Sequence, residues 1–286
     1  MDAQAHILPC GTRLHLQHGP IDLIIGADGD RTAAFRAART RFETVLQELM
    51  GEISDLRRPL TRDSAHPQGQ IAKRMDAAAR PFAQDRFVTC MAAVAGGVAD
   101  TILTAMTAHA ELSRAYVNNG GDIAIHLGAD QHFTTAMTGH DGSALGRIKI
   151  KDTDPVRGIA TSGRHGRSHS LGIADSVTVL AKSAAAADVA ATLLANAVDL
   201  PNHPNVTRMP ACDIDETSDL GDRLVVTNCE LFAQSDLNSA LAAGLKTAEN
   251  FRAKHLICGA ALFLQGANVA TRTSQLFRLQ RTPEHA

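Results

Sequence analysis

The sequence predicts an α+β fold with mostly antiparallel sheets and helices packed on them. Three observations carry that prediction. Short alternating or apolar runs are punctuated by Gly, Pro, Asn and Asp; longer stretches repeat apolar residues at three- and four-residue steps; and these segments fall into two hairpin-plus-helix halves. The 286 residues, 44% hydrophobic and 20% charged, can bury a stable core without disulfides or metals.

Arg13 to Gln17 alternates polar and apolar, His18-Gly19-Pro20 supplies a turn, and Ile21 to Ile25 is a second apolar run, so the pair reads as a β-hairpin. From Arg31 to Met50, Ala34, Phe35, Ala38, Phe42, Val45, Leu46 and Leu49 mark one face of an amphipathic helix, with arginines on the solvated face. Arg57 to Gln70 contains Pro59 and Pro67 and few large apolar groups, which makes it a surface connection. Cys90 to Leu112 reads as one long helix of small residues. Its Gly96-Gly97 pair would weaken that helix unless a ligand or a strand packs closely there.

Asp122 to Gly128, His132 to Thr138, Arg147 to Lys151 and Ser176 to Ala181 read as strands. Ser183 caps a helix running to about Val198, stopped by Pro201 and Pro204. Leu224 to Thr227 is a strand, Ser235 caps a helix to about His255, and Leu256 to Leu264 returns as a strand.

The formal net charge is −2 from interleaved acids and bases, with no basic stripe for a phosphate backbone. With no Trp, one Tyr and nine Phe, an aromatic platform for bases is not expected either. The cysteines, Cys10, Cys90, Cys212, Cys229 and Cys258, form no CxxC pair and read as buried free thiols in a reducing cytoplasm. The N-terminal residues lack a basic region followed by an apolar run, so no signal peptide is expected. Asp100 and several threonines interrupt the most apolar stretch, Cys90 to Ala110, so no membrane span is expected. These readings predict a cytoplasmic protein with neither nucleic acid nor membrane as partner.

Three constellations could carry chemistry. In Asn118-Asn119-Gly120-Gly121-Asp122, placed between a helix and a strand, the glycines bring bare amides to a ligand while Asn and Asp hydrogen-bond a heterocycle or ribose; any tight turn has the same composition. Thr161-Ser162-Gly163, followed by Arg164, His165, Arg167, Ser168 and His169, gathers hydroxyls, guanidiniums and glycine amides suited to an anion, with no balancing acid within the run. It is not a Walker loop, because GxxxxGK[ST] is missing. Asp188, Thr192 and Asn196 fall at four-residue steps on one helix face. That stripe is either a narrow solvent face or a set of hard oxygen ligands of the kind Mg²⁺ accepts beside phosphate. His15, His109, His126 and His132 show no ligand spacing.

Taken as an ordered set, "GPIDLII" (19–25), "MAAVAGGVAD" (91–100), "NNGGDIAIHL" (118–127), "GIATSGRHGRSHSLGIADSVTVLA" (158–181) and "ADVAATLLANAV" (187–198) resemble the ApbE-like superfamily. Its best-known members are Mg²⁺-dependent transferases that move FMN from FAD to a protein threonine. Within it, the chain is most similar to the branch called uncharacterised protein family 0280. The resemblance implies a duplicated architecture related to the tetrahydrobiopterin-enzyme (T-fold) class, here one domain over residues 1–286, with two intertwined pseudo-repeat subdomains left open. It implies Asp188 and Thr192 as metal ligands, with a main-chain oxygen near Ala160, and Gly120 to Asp122 at the ring or nucleotide pocket. Ala160 to Gly163 match the family's ATSG turn, and His169 is the nearest counterpart of the histidine that follows it. The segment after His169 is shorter than in the transferases and lacks their Asp-Pro.

The reading that results is a transferase-like enzyme holding a flavin- or pterin-type heterocycle with an anionic tail, FAD, FMN or a pterin, and carrying out Mg²⁺-dependent group transfer. His169 and Asp188 are its catalytic candidates, His169 as general acid or base. Asn118 to Asp122 and Thr161 to Ser168, with Gly166 aside, are its ligand contacts. One rival is an enzyme or binding protein of tetrahydromethanopterin synthesis or one-carbon metabolism; another is a non-catalytic cofactor carrier. The expected partner is a small heterocyclic molecule, with a homodimer left open.

Overall fold

The computed structural model describes residues 3–272 and 276–279, in two compact units. Of the described residues, the first comprises 3–132, 151–160 and 181–189; the second comprises 133–150, 161–180, 190–272 and 276–279.

The first unit opens on β1 (Gln4–Ile7), β2 (Arg13–His18) and β3 (Ile21–Gly29), an antiparallel run in which Leu14 faces Ile25 and Leu16 faces Leu23. Alternation in β2 buries Leu14, Leu16 and His18 and turns Arg13 and Gln17 outward. The expected hairpin is present; β1 precedes it and was not anticipated. Helix α1 (Arg31–Gly51) starts where the Asp30 carboxylate accepts from the Ala33 amide at 3.0 Å. Of its predicted apolar face, Ala34, Phe35, Ala38, Phe42, Val45 and Leu49 are buried, packed against β3 and the helix α4 described below, and Leu46 is half-buried. Each large side chain so buried contributes about 1.5–3 kcal/mol.

A short α2 (Ile53–Leu56) leads into the expected connection, and α3 (Gln70–Ala79) follows. The sequence reading assigned nothing to α3, although Ile71, Ala72, Met75 and Ala79 recur at helical steps and are buried. The expected helix from Cys90 to Leu112 is a 3₁₀ turn, Cys90–Ala93, followed by α4 (Val94–His109). The chain then straightens into β4 (Leu112–Asn119), where Tyr116 and Val117 favour the extended form, and turns into β5 (Asp122–Leu127). The Asn118 to Asp122 run is therefore a β-hairpin turn, not a helix-to-strand connection. The expectation that no stretch reaches membrane-spanning length is also corrected. Cys90–His109 is 20 residues with a mean hydropathy of 1.4, long and apolar enough by composition to cross a bilayer. Here Val98, Ala99, Ile102 and Met106 of α4 are buried in the protein core.

In the second unit, β6 (His132–Thr138) and β7 (Ala144–Lys151) form a sheet with the late strand β14, whose range follows below. Strand β8 (Gly158–Ser162) begins in the first unit, where Ile159 pairs with Ile123 of β5, and its last two residues belong to the second. Strand β9 (Ser176–Ala181) is buried throughout, and α5 (Ala184–Ala197) follows with Ser183 accepting from the Ala186 amide at 3.2 Å, as a cap should. Next come β10 (Val206–Pro210), α6 (Ala211–Ile214) and β11 (Leu224–Cys229), with β10 and β11 antiparallel. Helix α7 (Gln234–Ala253) packs on β12 (Gly259–Leu264) and β13 (Ala267–Ala270), and β14 (Phe277–Leu279) pairs antiparallel with β7. The α7 cap position is Ala233, without a side-chain bond, so Ser235 lies inside the helix instead of capping it.

The cysteines are not uniformly buried. Cys90 is buried, Cys212, Cys229 and Cys258 are half-buried, and Cys10 is exposed in the β1–β2 turn. Arg13 Nε and Thr12 Oγ1 both approach Cys10 Sγ to 3.4 Å. These bonds, Arg13 foremost, hold the thiol down at about 6, whereas burial pushes Cys90 up to about 12. At pH 7 iodoacetamide should therefore label Cys10 well ahead of Cys90, with the Cys10 rate falling as pH drops through about 6. Peptide mass spectrometry showing equal labelling of the two would contradict this.

Candidate functional site

In the first unit the N-terminal turns of α4 and α5 are tied to each other by two carboxylates. Asp100, nearly two turns into α4, accepts from the amides of Ala184 and Ala185 at 3.0 and 2.9 Å. Asp188, one turn into α5, accepts from the Gly96 amide through Oδ2 at 2.9 Å. Each carboxylate thus satisfies amides that a helix N-terminus leaves open, and each sits at the positive end of the other helix. Gly96 permits the approach: a Cβ there would lie 2.3 Å from the Ala184 carbonyl oxygen. The close neighbour expected beside the Gly96-Gly97 pair is this helix terminus, neither a strand nor a ligand.

The β4–β5 hairpin brings a third acid to the same place. Asn119 and Asp122 are cross-strand partners, and Asn119, buried, donates Nδ2 to the Ala95 carbonyl at 3.1 Å. Continuing the β5–β8 register, in which Ile123 faces Ile159 and Ala124 faces Gly158, sets Asp122 across from Ala160. The carboxyl of Asp188 is raised well above the ordinary range, first by burial and then by the Asp122 charge; the Gly96 and Ala95 amides oppose that shift without cancelling it. Asp100 is raised too, chiefly by burial.

At the hairpin tip Gly120 and Gly121 have φ of +65° and +112°, and a Cβ on Gly121 would meet nothing. Glycine is required there by the backbone, and the tip is open. Asn118 accepts from the Gly121 amide at 2.8 Å, so its side chain shapes the turn. Of the residues singled out from the sequence, the first unit therefore gathers Asn119, Asp122, Ala160 and Asp188 around the start of α4, with Asn118, Gly120 and Gly121 forming the adjoining turn.

The second unit holds the other group. Thr161, exposed, shares a hydroxyl–hydroxyl bond of 3.1 Å with Thr178, and Ser162 is half-buried. Gly163 is pressed against the chain ahead of β9, where a Cβ would be 2.3 Å from the Asp175 carbonyl oxygen. The acid missing from the sequence run is Asp175. Its carboxylate accepts from Arg164 Nε at 2.9 Å and Nη2 at 2.8 Å, pairs with His165 Nε2 at 3.3 Å, and accepts from the Gln265 amide at 2.5 Å. Arg164 and His165 are thus committed to an internal partner that a window of ten residues does not include. Arg164 still has guanidinium donors left for an incoming anion. Arg167 and Ser168 are exposed, and His169 is half-buried.

On helix α5, Ala184, Ala185, Ala187, Val189, Ala190, Ala191, Leu193, Leu194 and Ala195 are buried, while the stripe residues Asp188, Thr192 and Asn196 are half-buried, so the stripe is the more accessible face of an otherwise buried helix. Asp188 bonds Gly96, Asn196 accepts from the Leu171 amide at 2.9 Å, and Thr192, half-buried, lies one turn from each. No group of three His, Cys, Asp or Glu side chains placed to hold a metal occurs among the described residues. A cation here would take its remaining ligands from hydroxyl, carbonyl, water or phosphate oxygens, which is how Mg²⁺ is usually held. The carboxyl groups of Asp188 and Asp122, each in the other's field, would be the hard oxygens open to such an ion.

Comparison with known proteins places this antiparallel meander with its packed helices in the ApbE-like class. The flavin transferase ApbE of Vibrio cholerae has a similar fold, with a TM-score of 0.50 and 13% identity, over 96% of this chain and 100% of that one. The chain belongs to the family described as AbpE bacteria, whose model matches residues 5–270. It is also similar to UPF0280 proteins: one of Methanopyrus kandleri is 39% identical over 129 residues, 44% of this chain and 48% of that protein. Another, of Methanothrix thermoacetophila, is 39% identical over 140 residues, 48% of this chain and 54% of that protein. The chain spans about half the length of the curated relatives it matches.

Proposed function

We propose that the protein is a Mg²⁺-dependent transferase acting on a flavin nucleotide, with Asp188 as the principal metal ligand. The observation that carries this reading is the pair of acids, Asp188 and Asp122, brought together near the α4 N-terminus, where each lies in the other's field. Thr192, one turn along α5, and the Ala160 carbonyl are the neutral oxygens assigned to the same ion. When bound, Mg²⁺ neutralises charge developing on a phosphoryl oxygen. The open glycine tip at Gly120 and Gly121 offers backbone to a ring or ribose, and Asp122 offers a hydrogen-bond acceptor. In the second unit, Thr161, Ser162, Gly163, Arg164, His165, Arg167 and Ser168 are the hydroxyl, amide and cationic donors assigned to an anionic group.

In the transfer, an acceptor hydroxyl oxygen bonds to the phosphorus attached to the flavin, the pyrophosphate P–O bond breaks, and a nucleoside monophosphate leaves. His169 is the group assigned to take the hydroxyl proton, since its ring makes no hydrogen bond or ion pair among the described residues. The test is calorimetric titration of FAD into the full chain with and without MgCl₂, followed by chromatography for released AMP. Tight binding with Mg²⁺-dependent AMP release supports the transferase. Binding without conversion makes the protein a carrier, and affinity for a reduced pterin in place of FAD moves it to one-carbon chemistry.

A further inference from the structure

The turn between β6 and β7 reaches the Arg164–His165 segment through an unusual contact. The rings of His140 and His165 stack with centroids 3.6 Å apart and planes 12° from parallel. The β6–β7 tip that carries His140 is a built turn: the Gly139 amide donates to the Ser143 carbonyl at 2.8 Å, and Asp141 accepts from the Ser143 amide at 2.9 Å. His165 is anchored from the other side by Asp175. Two partly exposed imidazoles, one on each segment, thus hold a hairpin tip against the turn.

We infer that the β6–β7 tip is a pH-dependent latch on the Thr161–His169 turn, closed while the stacked histidines share no more than one proton and opened when both are protonated. Two imidazolium faces at 3.6 Å repel, whereas a neutral ring stacks with either form. The charged groups acting on the pair are Arg164 in the same turn, Asp175 ahead of β9 and Asp141 in the tip; Cys229, at the end of β11, lies in turn in the fields of Arg164 and Asp175. The β12–β13 turn contributes the Gln265 amide, which is neutral. His165 is shifted below its ordinary value of 6.5 by burial first, then by Arg164 and His140, with Asp175 opposing.

The sign follows from proton counting. The closed form binds fewer protons than the open form, so the latch is strongest above the ordinary histidine value and weakens as pH falls from there toward the lowered one. The opening constant changes by at most about tenfold per pH unit for each proton taken up. Opening uncovers the ring face of His165, still paired with Asp175, and lifts the tip from a segment assigned to ligand binding, yet the latch itself depends on no ligand and stands or falls apart from the proposed transfer.

The experiment is NMR of the imidazole protons in the full chain between pH 8 and pH 5, without ligand. At pH 8 the ring protons of both residues should be shifted upfield by stacking, and by pH 5 that shift should be lost. In His140→Phe the upfield shift on His165 should persist at pH 5, because a stacked ring remains and one charge is gone. In His140→Ala it should be missing at every pH, with His165 titrating at a higher value. An upfield shift surviving at pH 5 in the wild type, its loss at pH 5 in His140→Phe, or an unchanged His165 titration in His140→Ala would each overturn the latch.

Discussion

Asp188→Asn should abolish Mg²⁺ binding and lower metal-dependent turnover at least about 100-fold, while leaving the metal-free protein as stable as the wild type or more so at neutral pH. Asparagine keeps the shape and an oxygen to accept from Gly96, so the α4–α5 contact survives. What disappears is a carboxylate that burial and Asp122 hold well above its ordinary range. A carboxyl whose folded value is raised favours the fold below its unfolded value, about 3.9, and costs stability as pH rises from there through the folded value. Metal-free wild type should therefore lose stability across that window, and the variant should lose less. Adding Mg²⁺ at about 100 times its Kd should return about 2.7 kcal/mol to the wild type at neutral pH and nothing to the variant. Urea melts at pH 4 and pH 7, with and without MgCl₂, measure both halves. A wild type indifferent to Mg²⁺ at pH 7 removes the metal from Asp188.

Elements whose signal is local were legible in the sequence. The β2–β3 hairpin, the apolar face of α1 and the Ser183 cap of α5 each depend on residues close together in the chain, and each is where periodicity or capping chemistry placed it. The β4 strand was lost because the apolar run of α4 continues to Leu112 without a Gly or Pro to stop it; the break comes from Ala110 taking an extended conformation. Ser235 resembles a cap, but the helix begins one residue earlier at Gln234.

The bonds among the candidate site residues were illegible in the sequence. Asp188 stood out on a helix poor in polar residues, yet its partner Gly96 lies 92 residues away, and Asp122 acts on it only through space. Asp100 was noted as an interruption in an apolar stretch, while its work is to cap a helix 84 residues downstream. Asp175 sat inside the quoted motif and was passed over, because nothing local says that a carboxylate eleven residues from Arg164 folds back onto it. A cation-rich turn consequently looked unbalanced when its balancing charge was already in the chain.

Gly96→Ala should be strongly destabilising, because the added methyl enters the contact between α4 and the start of α5. The added Cβ would stand 2.3 Å from the Ala184 oxygen, 2.4 Å from its carbonyl carbon and 2.6 Å from the Ala185 nitrogen. All three are backbone atoms in the first turn of α5, so relief requires moving one helix off the other. That movement lengthens the Asp188–Gly96 bond and both Asp100 bonds together, because they span the same gap. Overpacking of this kind costs about 3 kcal/mol or more when side chains cannot yield. Gly97→Ala is the internal control: its Cβ would meet the Met75 Cγ at 3.0 Å, the stem of a flexible side chain that can shift. The neighbouring substitution should cost about 1 kcal/mol or less, partly offset by the better helix propensity of alanine. Chemical denaturation of the two variants in parallel reads the difference. Equal costs at 96 and 97 would mean that the helix termini are not locked together, and with that the carboxylate at Asp188 would lose the fixed position on which its assigned chemistry depends.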